Sequence, residues 1–230
     1  MTSTFSPHFE ILPAAQQRLW PELKPTLDLG FVLYGGTAIA LRLAHRQSVD
    51  FDFFSDEPLD RAAMQAAFSF MPTSTVLQDE RNALSMLVPY GDSQRSHVKV
   101  SFYGAIGFGR VGDPDITNDG VLQVASLADL MATKVKVVLQ RAEAKDYWDI
   151  AEMLRAKVSL AGGLAAAREL FGPAFQPSES LKAMVYFDDG DLKALSRDDR
   201  VTLVNAVSAV RELPAVKVLS SKLAAKVNLR

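Results

Sequence analysis

No cysteine occurs among the 230 residues, which excludes structural disulfides and thiolate zinc sites and fits a reducing compartment. Histidine is almost as scarce. His8, His45 and His97 stand apart, with no metal-ligand spacing between them. Excess charge is missing too: 25 basic against 27 acidic residues leave −2, so no global field draws the protein to nucleic acid. Any RNA contact must then come from a local patch. No apolar run reaches the roughly 18 residues of a membrane span, and the opening MTSTFSPHFE lacks the basic and apolar segments of a signal peptide. A soluble, cytoplasmic protein is expected. Walker A, GxSxG and Cys/His nucleophile patterns are absent as well.

What is present concentrates between Phe31 and Phe54. The apolar run Phe31-Val32-Leu33-Tyr34 stops at Gly35-Gly36, as a buried strand does at a sharp turn. Thr37 then opens a short helical segment whose apolar residues are Ala38, Ile39, Leu41 and Leu43. A second strand, Val49 to Phe54, carries Asp50 and Asp52 on one face, with Cα atoms about 7 Å apart, while Phe51 and Phe53 enter a core. Two such acids repel and lose hydration unless a cation lies between them, and a divalent ion held by oxygen is the natural resolution. The plainer reading is a solvated pair, or an acid bonded to a nearby arginine. The glycines let backbone approach phosphate closely, and the amides with the Thr37 hydroxyl can bond phosphate oxygens. A tight turn with Thr37 as an ordinary N-cap is compatible with that role.

With 48% hydrophobic residues, the chain can bury a sizeable core as one domain or two small ones. Helices are expected within 8–27 and from Pro58 to about Phe68. Strands are expected at Thr73–Gln78, Ala83–Val88, Val98–Tyr103 and Val121–Val124, with a turn at 89–93 and mostly loop over Gly104–Gly120. From Ser126, a capping-box-like start with Asp129, the pattern turns helical. Further helices are read at Lys145–Ala156, Leu160–Leu170, Ser178–Val185, Arg197–Arg211 and Ala215–Val227. The composition shift near residue 125 is the best domain boundary. On the last helix Lys222, Lys226 and Arg230 share a face, either a nucleic-acid patch or an ordinary solvated one.

Two helices carry charges on apolar faces. Lys134 lies on the stripe of Leu127, Leu130, Met131 and Val138, and Arg141 continues that face. Such a lysine either meets an anion, for which a triphosphate would serve, or snorkels to water. If it meets phosphate, removing its charge should stabilise the empty protein. Asp146 and Asp149 share a face with Ile150 and Met153 on the next helix, and an ion pair of Asp149 with Arg141, or a cap, competes with a functional role. His45 either touches a base or packs.

Gly35-Gly36-Thr37, twelve residues, then Asp50-Phe51-Asp52 resembles the first motif of DNA polymerase β-like nucleotidyltransferases. More closely, GGTAIALRLAHRQSVDFDFF is similar to the AbiEii/AbiGii toxin family of nucleotidyltransferases, known from abortive-infection and toxin–antitoxin systems. The run ADLMATKVKVVLQRAEAKDYWDIAEML resembles that family's later motifs, with Lys145 where arginine often stands. The resemblance spans about residues 30 to 155. It implies an α+β fold: a polymerase β-like core with a small mixed sheet over 1–125, then a helical domain over 126–230 that completes the nucleotide site. It further implies Mg2+ or Mn2+ on Asp50 and Asp52, phosphates held by Gly35, Gly36, Thr37, Lys134 and Arg141, and Asp146 as the later motif's acid. The substrate would be a nucleoside triphosphate, the acceptor an RNA such as tRNA, and the partner an antitoxin. One departure stands out. The third carboxylate usual on a neighbouring strand is replaced by Ser101, a far poorer metal ligand or proton acceptor. Either Asp146 serves instead, or the protein is a nucleotide-binding regulator that has lost its chemistry.

Overall fold

The structure, a computed structural model, describes residues 3–90 and 97–226. They divide into two compact units, one formed by residues up to Gly109 with Asp113–Ala125 and the stretch from Ser220, the other by Arg110–Gly112 and Ser126–Leu219.

The first unit is α+β. Its strands are β1 (Thr4–Phe5), β2 (Val32–Tyr34), β3 (Asp50–Phe54), β4 (Thr75–Glu80), β5 (Ala83–Pro89), β6 (His97–Tyr103), β7 (Asp115–Thr117) and β8 (Gln123–Val124). They form one mixed sheet in the order β1-β7-β8-β2-β3-β6-β5-β4, so β3 lies between β2, antiparallel to it, and β6, parallel to it. Alternation works as the sequence implies. Phe51 and Phe53 are fully buried, while Asp50, Asp52 and Phe54 are half-buried on the other face. Phe53 stacks on Phe102 of β6 at 5.4 Å, which fixes the core side of the sheet.

Helices α1 (Ala14–Leu19), α2 (Gly35–Leu43) and α3 (Arg61–Ala67) complete this unit. After α1 the chain tightens to a 3-10 helix over Trp20–Thr26, because Pro21 and Pro25 lack amide donors. Helix α3 starts three residues later than Pro58 suggests, since Asp60 caps it by accepting from the Ala63 amide at 3.0 Å. Strands β1 and β7 escape a sequence reading because two- or three-residue strands carry no period; pairing defines them, β1 parallel to β7 and β7 antiparallel to β8. The expected turn at 89–93 falls mostly outside the described residues.

The expected helix at 215–227 is corrected. Residues 210–226 are not helical, and the stretch from Ser220 fastens to the first unit instead. Leu223 is fully buried and its amide donates to Asp56 Oδ1 at 2.9 Å, while the Gln123 side chain both donates to the Ala225 carbonyl and accepts from its amide, each at 2.9 Å. These partners satisfy backbone groups that a helix would otherwise pair. Lys222 therefore belongs to no cationic helix face; it pairs with Asp56 at 3.0 Å and with Glu57. Arg230 lies outside the described residues.

The second unit is helical, with α4 (Leu127–Val137), α5 (Ala144–Arg155), α6 (Leu160–Phe171), α7 (Pro177–Met184) and α8 (Arg197–Ala209). Helix α4 packs closely on α6 at Gly163, where an added Cβ would collide with the Met131 side chain. Ser126 caps α4 by accepting from the Asp129 amide at 3.1 Å. The Asp129 carboxylate is 1% exposed and accepts from the Val111 and Gly112 amides at 2.8 and 3.1 Å; burial nevertheless pushes its pKa up. Among the described residues no helix is long and apolar enough to cross a membrane.

Candidate active site

Strand β2 runs into α2 through Gly35, the first residue of the helix, whose φ of +74° suits glycine. A Cβ at Gly35 would lie 2.7 Å from Asp52 Oδ2, so the carboxylate of β3 rests directly against this turn. A Cβ at Gly36 would collide with the Arg46 guanidinium and come within 3.1 Å of Ser48 Oγ. Both glycines thus leave room for polar groups arriving from the α2–β3 connection and from β3. Thr37 is the third helical residue, and Tyr34 occupies the N-cap position that the plainer reading gave to Thr37. Its side chain is 1% exposed; its hydroxyl donates to the Asp50 carbonyl and lies 2.9 Å from Ser48 Oγ. That hydroxyl ties the start of α2 to the start of β3. Arg46 and Ser48 were not singled out from sequence, although both lie in the HRxS segment between glycines and acids.

Strand register shows what stands beside the two acids. Strands β3 and β6 pair Asp52 with Ser101 and Asp50 with Lys99. Ser101 is fully buried, and its hydroxyl accepts from Ser85 Oγ of β5 at 3.1 Å. Among the described residues no group of three or more His, Asp or Glu is placed to hold a metal ion. Asp50 and Asp52 do fit one hard cation of the magnesium type, which binds through one or two carboxylates and takes its other oxygens from water and substrate phosphates. The half-buried pair on one strand face, beside a helix N-terminus able to receive phosphate, is that kind of donor set.

In the second unit Lys134, Arg141, Asp146 and Asp149 come together. Lys134 Nζ lies 2.6 Å from Asp146 Oδ1 and 2.6 Å from Asp149 Oδ2. Its side chain is 7% exposed, so it does not snorkel, and both carboxylates are fully buried. The lysine that the sequence left in want of an anion finds two of them one helix away. Arg141 donates to Asp146 from the other side, Nε to Oδ2 at 2.8 Å and Nη2 to Oδ1 at 3.2 Å. Burial pushes the Asp146 carboxyl up, but the Arg141 hydrogen bond and the Lys134 charge outweigh it and hold the pKa below the usual carboxylate range. Arg141 is half-exposed and lines a cleft of about 180 Å³ with Gln140, Tyr147, Tyr186 and Asp189. An Asp146 whose oxygens both receive charged donors is built to hold Lys134 and Arg141 in place. His45 is half-buried just past the end of α2.

A family model described as "Nucleotidyl transferase AbiEii toxin, Type IV TA system" matches residues 18–219. An uncharacterized protein of Aquifex aeolicus (strain VF5) is 27% identical over 139 residues, 58% of this chain; the match spans 64% of that relative's length. Among solved structures, an H. pylori protein described as a candidate nucleotidyltransferase superposes with a TM-score of 0.57 at 15% identity, covering 84% of this chain and 92% of its own. MenT4, a nucleotidyltransferase toxin from Mycobacterium tuberculosis H37Rv, gives 0.56 at 13% identity, covering 83% and 82%. At these identities the two structures speak for the fold.

Proposed function

The chain belongs to the AbiEii nucleotidyl transferase toxin family, and from that premise we propose that it moves a nucleotide from a nucleoside triphosphate to an RNA such as tRNA, as the toxin opposed by a cognate antitoxin. The observation that carries this reading is the pair Asp50 and Asp52, side by side on β3 against the glycine turn that opens α2. An acceptor oxygen attacks the α-phosphorus and pyrophosphate leaves. A divalent ion, Mg2+ or Mn2+, bound through Asp50 and Asp52, supplies positive charge to the phosphate oxygens. The amides of Gly35, Gly36 and Thr37 receive phosphate, and the Thr37 hydroxyl holds that turn against β3. In the second unit Lys134 and Arg141 act as phosphate-binding cations, and Asp146 positions both.

The test is to incubate the protein with each labelled nucleoside triphosphate, Mg2+ and total RNA, and to follow label and pyrophosphate together. Label in an RNA fraction is expected, lost in chelator and in Asp52→Asn. No label and no pyrophosphate with any nucleotide would overturn the reading. The register of Ser101 beside Asp52 favours one alternative, a nucleotide-binding regulator without turnover. That protein would bind triphosphate and release no pyrophosphate.

A further inference from the structure

The face of the sheet that carries Asp50 and Asp52 holds more than those two acids. Residues in register on paired strands project from the same face. Lys99 therefore stands beside Asp50, Ser101 beside Asp52, and Ser85 beyond Ser101, while Phe51, Phe53, Val100 and Phe102 point to the opposite side. The two hydroxyls are buried and bonded to each other at 3.1 Å, so they add polarity and no charge. Lys99 is half-buried, one strand spacing of about 4.8 Å from Asp50 at the backbone. Among the described residues neither the Lys99 ammonium nor the Asp50 carboxylate has an ion-pair or hydrogen-bond partner.

The charges on this face decide how many ions it can hold. Two carboxylates contribute −2, Lys99 contributes +1, and the Arg46 guanidinium reaches the adjoining Gly36 turn, so at most one negative charge is left for incoming cations. Two-ion phosphoryl-transfer sites set their metals about 3.5–4 Å apart and clamp the attacking and leaving oxygens between them. Two dications that close repel, so the pair needs more anionic oxygen around it than a single ion does. Here the place for a third carboxylate is a neutral hydroxyl that accepts from Ser85, and a lysine already brings positive charge alongside. We propose that this face takes a single divalent ion and that Lys99 supplies to the phosphates the positive charge a second ion would otherwise bring. An ammonium offers three donors and no acceptor on a flexible four-carbon stem, which suits it to phosphate oxygens as a point charge. The inference rests on the nucleotidyl-transfer reading, and it adds a phosphate-contacting residue, Lys99, that no sequence motif marked.

Mn2+ binding followed by electron paramagnetic resonance, with a non-hydrolysable triphosphate analogue present, counts the ions on the full chain. One Mn2+ per chain is expected. Lys99→Met should weaken the analogue at saturating Mn2+ by about 10- to 100-fold, the size of a lost charged hydrogen bond. Lys99→Arg should retain most of the affinity, and thermal unfolding of each variant shows that it is folded. The double variant Lys99→Met/Ser101→Asp should bind two Mn2+, because a carboxylate then stands beside Asp52 and the ammonium beside Asp50 is gone. Two ions on the wild type, or equal analogue affinity for wild type and Lys99→Met, would overturn the inference while leaving nucleotidyl transfer intact. A wild type that binds neither Mn2+ nor analogue would overturn both.

Discussion

Replacing Lys134 by Met removes one ammonium from a buried group that is otherwise electrically balanced: Lys134 and Arg141 against Asp146 and Asp149. The helical stripe suggested a lone, costly charge whose removal would stabilise the empty protein. The structure reverses that expectation. With Lys134 gone, two fully buried carboxylates lose the ammonium that lay 2.6 Å from each, and Arg141, which bonds Asp146, is half-exposed. Breaking a buried pair from one side typically destabilises by about 3–5 kcal/mol, because uncompensated charge is left behind. For a chain of this length that is a fall in Tm of roughly 6–20 °C. Neutralising the partners as well, in Lys134→Met/Asp146→Asn/Asp149→Asn, should recover most of the loss. The pH dependence has a definite sign. Asp146 is depressed in the folded state, so its contribution is present above the ordinary aspartate value of about 3.9 and is lost as pH falls through the lower folded value. The gap between wild type and Lys134→Met should therefore narrow on acidification below about pH 4. Thermal unfolding at pH 7 and pH 3.5 checks both points. A Lys134→Met protein as stable as wild type at pH 7 would refute the reasoning.

Two further outcomes follow from packing. Gly35→Ala should destabilise by about 1–2 kcal/mol, because it places a side chain at φ +74° and 2.7 Å from Asp52 Oδ2; it should also weaken Mn2+ binding by displacing that carboxylate, and unchanged Mn2+ affinity would contradict the contact. Tyr147, 1% exposed and donating to the Ala183 carbonyl at 3.0 Å, has its pKa pushed up from 10.0 to about 12, by burial first and then by Asp146 and Asp189. Its phenol ionises more readily unfolded than folded, so its contribution is lost as pH rises from 10 towards 12, about 1.4 kcal/mol of it by pH 11. Urea unfolding should show Tyr147→Phe losing that much less stability than wild type between pH 9 and 11.

The candidate site was legible where its signal is local. The period of two in Asp50-Phe51-Asp52-Phe53 is enough to send acids and rings to opposite faces, and the apolar run stopped by Gly35-Gly36 is enough to mark a strand turning into a helix. Lys134, Asp146 and Asp149 were legible as charges on apolar faces, but not as partners of one another, since their meeting requires α4 and α5 to pack. Ala215–Val227 misled because its spacing of Val, Leu and Lys imitates a helix face, whereas Asp56 and Gln123, more than 100 residues away in sequence, capture its backbone.

Sequence alone determined what each short segment can offer: a DxD strand, a glycine turn, a capped helix carrying Lys134, a chain without thiols. These follow from alternation, φ preference and capping, which act over a few residues and need no knowledge of the rest. Tertiary structure alone decided which charges neutralise which. Parallel pairing of β3 with β6 puts Lys99 and Ser101, rather than a carboxylate, beside Asp50 and Asp52. Helix packing gives Lys134 its two carboxylates and turns a lone cation into a buried network. Electrostatic energy depends on separations of a few ångströms and on burial, and neither is encoded in any one segment.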